Sequence, residues 1–189
     1  KDLNELTEKT LINSFSKKGK PLVKKADTFG IQLKKLNREE LSIFKNITKE
    51  TSERREYSDK SLEYYEHFYD SFGEQAEFVI ANLNLGEYIQ NLIHKHKELS
   101  EKIATSLLLL EQYPDSAQKK KEHKELARQY ESFEVRKAEA RELIEKYGEK
   151  DLVLAGSLFI YIPQETTYLF SGSYTEFNKF YAPALLQKY

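Results

Sequence analysis

The sequence contains no cysteine, methionine or tryptophan, and only 7 glycines and 4 prolines among its 189 residues. Without cysteine, the chain has no disulfide scaffold, no cysteine-ligated zinc or iron–sulfur site and no thiol nucleophile. Wholly apolar runs such as residues 107–110 are too short for a membrane-spanning helix or for the apolar region of a signal peptide. These absences indicate a globular chain without thiol chemistry.

Motifs of several enzyme classes are also missing. The sequence has no Gly-x-Ser-x-Gly element, no phosphate-binding P-loop and no dinucleotide-binding fingerprint. Of the 4 histidines, His94 and His96 are two residues apart in a predicted helix, so they do not share a face and make a poor metal pair. We therefore expect no metal and no cofactor.

Charged residues, in contrast, are abundant and balanced. The chain has 30 Lys and Arg against 31 Asp and Glu, a formal net charge of −1, with 32% charged and 39% hydrophobic residues. This combination predicts a long solvated element joined to a compact body, and the 13 Tyr and 11 Phe argue against disorder. Because the chain starts at Lys1, lacks methionine and ends inside a predicted helix, we expect it to be a fragment of a larger protein.

The first 86 residues are predicted to form helices and two strands. A short helical stripe begins at Leu11, and Pro21 suits the first position of a second helix, which Gly30 would end. The elements expected next are a strand at 31–36, a helix at 37–55 with an Asn37–Glu40 capping box, a helix from Ser58 or Ser61 to Gly73, and a strand at 76–83 that is buried on both faces.

Residues 87–147 have a different pattern, with apolar positions repeating in heptads. The turn residues 113–116 separate two such segments, so the two helices must fold back on each other as an antiparallel coiled coil. The segment holds 12 basic and 12 acidic residues, so we expect it to be exposed to solvent and to carry no excess of either charge. The two predicted seams are Ile89, Leu92, His96, Leu99, Ile103, Ser106 and Leu110, and Leu126, Tyr130, Phe133, Lys137, Ala140, Ile144 and Tyr147.

After Gly148, the pattern returns to strands. Residues 151–171 predict a β-hairpin, residues 172–175 a loop and residues 176–189 a helix. Without the inserted helices, the order β–α–α–β–β–β–α is that of an acyl-CoA N-acyltransferase (GNAT)-like lobe in the α+β class. The predicted domains are 1–86, the first part of this lobe, 87–148, the coiled-coil insertion, and 149–189, the truncated remainder of the lobe.

Three segments carry candidate binding residues. The first 38 residues hold ten basic against four acidic side chains, and a lysine cluster there could bind phosphate or form only a solvated face. The guanidinium groups of Arg54 and Arg55 could donate paired hydrogen bonds to a carboxylate or a phosphate. Alternatively, their charge could only complement the dipole at a helix end. Ser173, in a glycine-containing segment that leads into a helix, suits an extended polar ligand. The cluster consists of Lys17, Lys18, Lys20, Lys24 and Lys25.

Several of these segments resemble the Fem peptidyltransferases of Gram-positive bacteria, and most closely the MurM/MurN-type serine- and alanine-adding enzymes. The similarity covers essentially the whole chain, including the insertion. It is carried by Ser16-Lys-Lys-Gly-Lys-Pro-Leu-Val-Lys-Lys-Ala26, Thr51-Ser-Glu-Arg-Arg-Glu-Tyr57, Tyr64-Tyr65, Leu169-Phe-Ser-Gly-Ser173 and Phe180-Tyr-Ala-Pro-Ala-Leu-Leu-Gln187.

The resemblance implies a two-lobed enzyme that moves serine or alanine from aminoacyl-tRNA to the lysine amine of a peptidoglycan precursor such as lipid II. It needs no cofactor, because the tRNA ester is already activated. It implies a cytoplasmic location, with peripheral association at the inner face of the membrane as an open alternative. This chain would be most of the second lobe, and a fragment of this kind is expected to be inactive alone.

The resemblance also implies roles for individual residues. It suggests that Arg54 or Arg55 contacts the precursor phosphate or stem peptide, and that Tyr57 and Tyr181 hydrogen-bond the acceptor peptide. The lysine that assists transfer in the family would lie downstream of this chain, so the catalytic residues are expected outside it. The alternative hypothesis is a non-catalytic coiled-coil adaptor or tRNA-binding scaffold.

Overall fold

In a computed structural model, residues 7–189 are described, and they form two compact units. The sheet unit contains residues 7–83 and Leu152–Tyr189, and the hairpin unit is Asn84–Asp151. The helices are α1 Glu8–Ser14, α2 Gly19–Ala26, α3 Leu41–Arg55, α4 Leu62–Phe72, α5 Leu85–Gln112, α6 Ala117–Tyr147 and α7 Ala182–Lys188. The strands are β1 Gln32–Lys35, β2 Ala76–Asn84, β3 Asp151–Ile162 and β4 Glu165–Ser173.

The four strands form one sheet in the order β1-β2-β3-β4, with β1 antiparallel to β2 and β3 antiparallel to β4. The β-hairpin expected after Gly148 is confirmed, and a register shift between Leu158 and Phe159 interrupts it. The fold is therefore a mixed one, in which helices accompany an antiparallel sheet.

Helices cover both faces of the sheet, because both faces of its central strands are apolar. Side chains of α3 and α4, among them Phe44 and Tyr65, pack with Phe78 and Ile80 of β2 on one face. The intervening residue Val79 points to the other face and is also buried. On that face Leu33 of β1 packs with Val23, Ala26 and Leu185 of α2 and α7. The predicted burial of β2 on both sides is thus confirmed.

Several expected helix ends are confirmed by the structure. Asn37 and Glu40 form the reciprocal capping box, at a 3-10 turn, Arg38–Glu40, that leads into α3. Ser61, rather than Ser58, caps α4, and Gly73 ends it. Gly30 has φ 78° and ends the 3-10 turn Asp27–Phe29 that follows α2.

Three local predictions were wrong. Helix α2 begins at Gly19, so Pro21 is its third residue and not its first. Residues 172 and 173 are not in a loop but in β4, where Gly172 pairs with Gly156. The single helix expected at 176–189 is instead a 3-10 turn, Thr175–Phe180, followed by α7, and Tyr181 between them has φ 56°.

The hairpin unit consists of α5 and α6 joined by the turn at 113–116 that the sequence predicts. The helices are antiparallel, because Tyr88 contacts Arg136 at 3.2 Å and Ser106 contacts His123 at 2.7 Å. Every residue of the two predicted seams is buried or half-buried. Within residues 7–189, no helix combines the length and the apolar character needed to cross a membrane.

Candidate functional site

The end of α3 and the end of β4 meet in a tight contact that depends on a glycine. A Cβ atom at Gly172 would lie 2.8 Å from Ile47 Cγ2, 2.8 Å from Thr51 Oγ1 and 2.9 Å from the Ile47 carbonyl oxygen. Its cross-strand partner Gly156 is similarly crowded, with Ile47 Cδ1 at 2.9 Å. The missing side chains let α3 approach the sheet closely.

Three hydrogen bonds join this helix end to the segment that follows Gly172, and a fourth, within α3, orients the Thr51 hydroxyl. The backbone N–H of Ser173 donates to Thr51 Oγ1 at 3.2 Å, and the Thr51 hydroxyl donates to the Ile47 carbonyl at 3.0 Å. The backbone N–H of Thr175 donates to Glu50 Oε1 at 3.3 Å, and the Arg54 guanidinium donates to the Thr175 hydroxyl. We call this cluster the α3–β4 corner; it comprises Glu50, Thr51, Arg54, Ser173 and Thr175.

The last turn of α3 presents donors to solvent beside this cluster. Arg54, Arg55 and Tyr57 are exposed, and Tyr57 retains 51% of its accessible surface. Glu56, with φ 57°, turns the chain out of the helix, and the Tyr57 N–H donates to the Ser52 carbonyl at 3.2 Å. Arg55 forms no ion pair with any of residues 7–189, so its fork of N–H donors is available to a carboxylate or a phosphate.

A tyrosine behind the corner remains a proton donor at neutral pH. Burial, and next the negative charge of Glu50, raise the pKa of Tyr174 above its usual value. The backbone N–H of Tyr174 donates to the Leu154 carbonyl at 3.1 Å, which fixes its position beside Ser173. The chemistry of the corner is therefore that of hydrogen-bond donors and cations, which suits an anionic or peptide ligand.

Tyr181 lies in a different place from the arginines. It packs against Val23, Ala26 and Leu185, and Lys25 Nζ lies 5.0 Å from the centre of its ring. Of the five residues proposed to contact substrate, the structure brings Arg54 and Ser173 into the same cluster, places Arg55 and Tyr57 beside it, and packs Tyr181 against α2 and α7.

The predicted lysine cluster surrounds the start of α2, where most backbone donors are already used. The N–H groups of Gly19 and Lys20 donate to the Ser16 carbonyl at 3.0 and 3.1 Å, and Pro21 has no N–H. Any anion bound there would depend on the lysine side chains. Lys17, Lys18, Lys24 and Lys25 are exposed and Lys20 is half-buried.

The sheet unit also contains a cleft of about 640 Å³ lined by aromatic residues, including Phe159, Tyr161 and Tyr189. Close to these tyrosines, Glu77 accepts hydrogen bonds from Lys35 at 2.7 Å and from the Tyr189 hydroxyl at 2.8 Å. Burial alone would raise the pKa of Glu77, but these bonds, together with one from Tyr161, hold it below its usual value. Neither Glu77 nor the cleft was predicted from the sequence.

Two members of the corner, Glu50 and Thr175, were also missed as site residues. The available signal was Gly172, because a glycine within a strand pattern often marks a close approach of another backbone. Among residues 7–189, no group of three or more His, Asp or Glu is placed to hold a metal ion.

Comparison with known proteins gives consistent matches over nearly the whole chain. The FemAB family model matches residues 1–189. Aminoacyltransferase FemA from Staphylococcus aureus strains MRSA252 and N315 is 26% identical over 179 residues, covering 95% of this chain and 42% of the relative. The crystal structure of FemX is similar with a TM-score of 0.80 and 22% identity, covering 97% of this chain and 46% of that one, a likeness that shows the fold. The chain thus spans less than half the length of these relatives.

Proposed function

The chain belongs to the FemAB family, and we propose that the protein containing it is an aminoacyltransferase of peptidoglycan cross-bridge synthesis. In this proposal serine or alanine moves from aminoacyl-tRNA to the lysine amine of the lipid II stem peptide. The sheet unit is part of a GNAT-like lobe, and the hairpin unit is its coiled-coil insertion. The similarity to proteins named aminoacyltransferase FemA supports the reaction class.

The observation that carries the proposal is the α3–β4 corner. The Thr51–Ser173 hydrogen bond joins two of the segments that carry the family resemblance, Thr51 to Tyr57 and Leu169 to Ser173, and the Arg54–Thr175 bond adds a contact just beyond the second. We assign Arg55, whose donors are available, to the phosphate or a carboxylate of the acceptor precursor. Tyr57, exposed beside it, hydrogen-bonds the stem peptide.

The reaction itself requires little from protein side chains. The lysine amine attacks the ester carbonyl carbon, a C–N bond forms, and the C–O bond to the tRNA 3′ end breaks. The amine loses a proton, and the tRNA hydroxyl leaves with one, so the step balances without a redox partner. The enzyme must orient the amine and stabilise the oxyanion that develops on the carbonyl oxygen. We place the groups that do so outside residues 7–189.

The alternative, a non-catalytic adaptor or tRNA-binding scaffold, is favoured by one observation. Tyr181 packs against α2 and α7 beside Lys25, and among residues 7–189 it makes no contact with Arg54 or Arg55. If Tyr181 and the lysine cluster form a separate binding surface, this unit could hold tRNA while the chemistry takes place elsewhere. We place either activity in the cytoplasm, at the inner face of the membrane where lipid II is available.

An assay of the full-length protein tests the enzyme proposal. Seryl-tRNA and alanyl-tRNA are each supplied with lipid II, either unmodified or already carrying one added residue, and the product is measured by mass. Arg55→Ala is expected to raise the KM for lipid II about tenfold, the scale of one lost charge-assisted hydrogen bond. Absence of transfer from either tRNA to either acceptor would contradict the enzyme proposal.

Lys49→Ala is the matched control for this assay. Lys49 is an exposed cation on the same helix, and its one partner, Glu53, is 3.9 Å away. We expect its KM for lipid II to equal that of the unmodified protein. An equal increase in KM for both variants would show that general charge on α3, and not Arg55, binds the acceptor.

A further inference from the structure

The free end of the helical hairpin exposes apolar side chains that the hairpin does not use. Leu107, Leu108 and Tyr113 retain 47%, 60% and 57% of their accessible surface. The neighbouring seam residues Ser106 and Leu110 are half-buried between the helices. Two other large apolar side chains of the hairpin, Ile93 and Val135, are also exposed, but they lie far apart along it.

Lysines follow directly after this apolar group, at the start of α6. Lys120, Lys121 and Lys124 are exposed, and none of them pairs with an acidic side chain within residues 7–189. The acidic residue among them, Glu122, already accepts from Gln118 at 2.9 Å and lies 3.5 Å from Lys119. Residues 107–124 hold four lysines against three acids, the other two being Glu111 and Asp115, so the end is weakly cationic. We call residues 107–124 the hairpin tip.

The combination of groups at the hairpin tip suits a lipid surface better than RNA. Binding to RNA phosphates strengthens with the number of cations engaged, and leucine contributes nothing to it. At a bilayer interface, aliphatic side chains enter the boundary below the headgroups, tyrosine lies at headgroup depth, and lysine reaches the lipid phosphates. The tip is also a convex end, which can enter a fluid surface without a complementary pocket.

We propose that the hairpin tip is a peripheral membrane-docking site for anionic phospholipid bilayers. Leu107 and Leu108 enter the headgroup region together with Tyr113, and Lys120 and Lys121 contact lipid phosphates. This interaction needs neither aminoacyl-tRNA nor lipid II, so it stands apart from the proposed transfer reaction. It would hold the protein at the surface where a lipid-linked acceptor is found.

Vesicle co-sedimentation of the full-length protein tests this site. The vesicles contain phosphatidylglycerol and phosphatidylethanolamine, and phosphatidylcholine vesicles serve as the uncharged comparison. Replacing both leucines, Leu107→Ser with Leu108→Ser, is expected to lower partitioning about tenfold, because the apolar area withdrawn from water sets the strength of interfacial binding. Because each side chain is exposed over about half of its surface, the melting temperature should fall only slightly.

Val135→Ser is the matched control, since Val135 is as exposed as Leu108, at 60%, but lies in the middle of α6. Its partitioning should equal that of the unmodified protein. A second variant, Lys120→Gln with Lys121→Gln, should weaken binding to phosphatidylglycerol vesicles several-fold and leave the phosphatidylcholine value unchanged.

Three results would overturn the proposal. One is no sedimentation of the unmodified protein with phosphatidylglycerol vesicles, and another is equal loss from the Val135 and leucine variants. The third is a leucine variant that binds vesicles normally but loses tRNA, which would make the tip an RNA contact. If the unmodified protein binds vesicles but transfers no amino acid, that result would count against the proposed reaction and not against the docking site.

Discussion

At the scale of single residues, Gly172 shows how a missing side chain positions the corner. Ile47 and Thr51 occupy the space where its Cβ would stand, and the Thr51 hydroxyl in that space accepts the Ser173 N–H. One glycine thus allows both the packing of α3 and the hydrogen bond that fixes the chain after β4. Substitution there should disturb both.

We therefore expect Gly172→Ala to lower the free energy of unfolding by about 2 kcal/mol, the usual cost of overpacking. Two of the three close atoms are the hydroxyl of Thr51 and a backbone oxygen, so relaxation requires α3 to move. Urea unfolding of the full-length protein, followed by circular dichroism, measures the change.

Gly86→Ala provides the comparison. Gly86 lies in the first turn of α5, and the nearest atom to its added Cβ would be Asn84 Oδ1 at 3.4 Å, an ordinary van der Waals distance. Alanine is the better helix former, so this variant should be as stable as the unmodified protein or slightly more so. A loss at Gly86 as large as that at Gly172 would refute the packing argument.

At the scale of elements, one carboxylate connects two strands of the sheet with the segment after α7. Glu77 of β2 accepts from Lys35 of β1 at 2.7 Å and from the Tyr189 hydroxyl, beyond α7, at 2.8 Å. These bonds favour the charged carboxylate, whose pKa is lower in the folded chain than in the unfolded one. Its contribution to stability is therefore complete above the unfolded pKa and disappears as the pH falls through the folded one.

Accordingly, Glu77→Gln should cost about 1 kcal/mol of unfolding free energy at pH 7, the typical net value of a hydrogen bond. The difference from the unmodified protein should shrink below the unfolded pKa and disappear as the pH falls through the lower folded pKa, because the unmodified side chain is then neutral as well. Urea unfolding at a series of pH values measures it.

Glu74→Gln, an exposed change three residues earlier, should leave the stability unchanged at every pH. If the Glu77→Gln difference stayed constant down to pH 3, the bonds to Glu77 would not depend on its charge.

The elements were predictable wherever local signals and burial agree. The Asn37–Glu40 capping box and the doubly buried β2 follow directly from their residues, and both are confirmed. The prediction for the end of β4 was wrong because Gly172 and Ser173 are typical turn residues, whereas pairing with β3 keeps them extended. The break at Tyr181 was not predicted, because the spacing of apolar residues carries no information about the sign of φ.

The candidate site was predictable only in part, since its members come from distant segments. The donor types at Arg54 and Arg55 were visible in the sequence. The partners Glu50 and Thr175 are 125 residues apart, and only the folded contact between α3 and β4 brings them together. Tyr181 was grouped with the arginines on its motif, and its contacts lie instead with Lys25 and α2.

At the scale of the whole molecule, the hairpin unit leaves and re-enters the sheet at neighbouring points. Asn84 Nδ2 donates to Asp151 Oδ1 at 2.7 Å, and the Leu85 N–H donates to the Lys150 carbonyl at 3.2 Å. Strands β2 and β3 are adjacent in the sheet, so a short loop could replace the hairpin between them.

We expect a variant with residues 86–149 replaced by a short glycine-rich loop to retain the fold of the sheet unit. The residues that form the cores around Phe44 and around Val23, as far as residues 7–189 show them, belong to the sheet unit. The variant should show dispersed amide signals in NMR spectra and a single cooperative unfolding transition. Poorly dispersed amide signals and an unfolding curve without a cooperative transition would show that the sheet unit needs the hairpin to fold.

Because α5 begins close to the point where α6 ends, the length of the hairpin can change without a change in the sheet. Adding seven residues to each helix would keep the seam in register and extend the reach by about 10 Å, at 1.5 Å per residue. Adding them to one helix alone would misalign Ser106 and His123, which now meet across the seam. Among related proteins, we expect the hairpin to lengthen or shorten by one heptad in both helices at once, while the strands at its base stay unchanged.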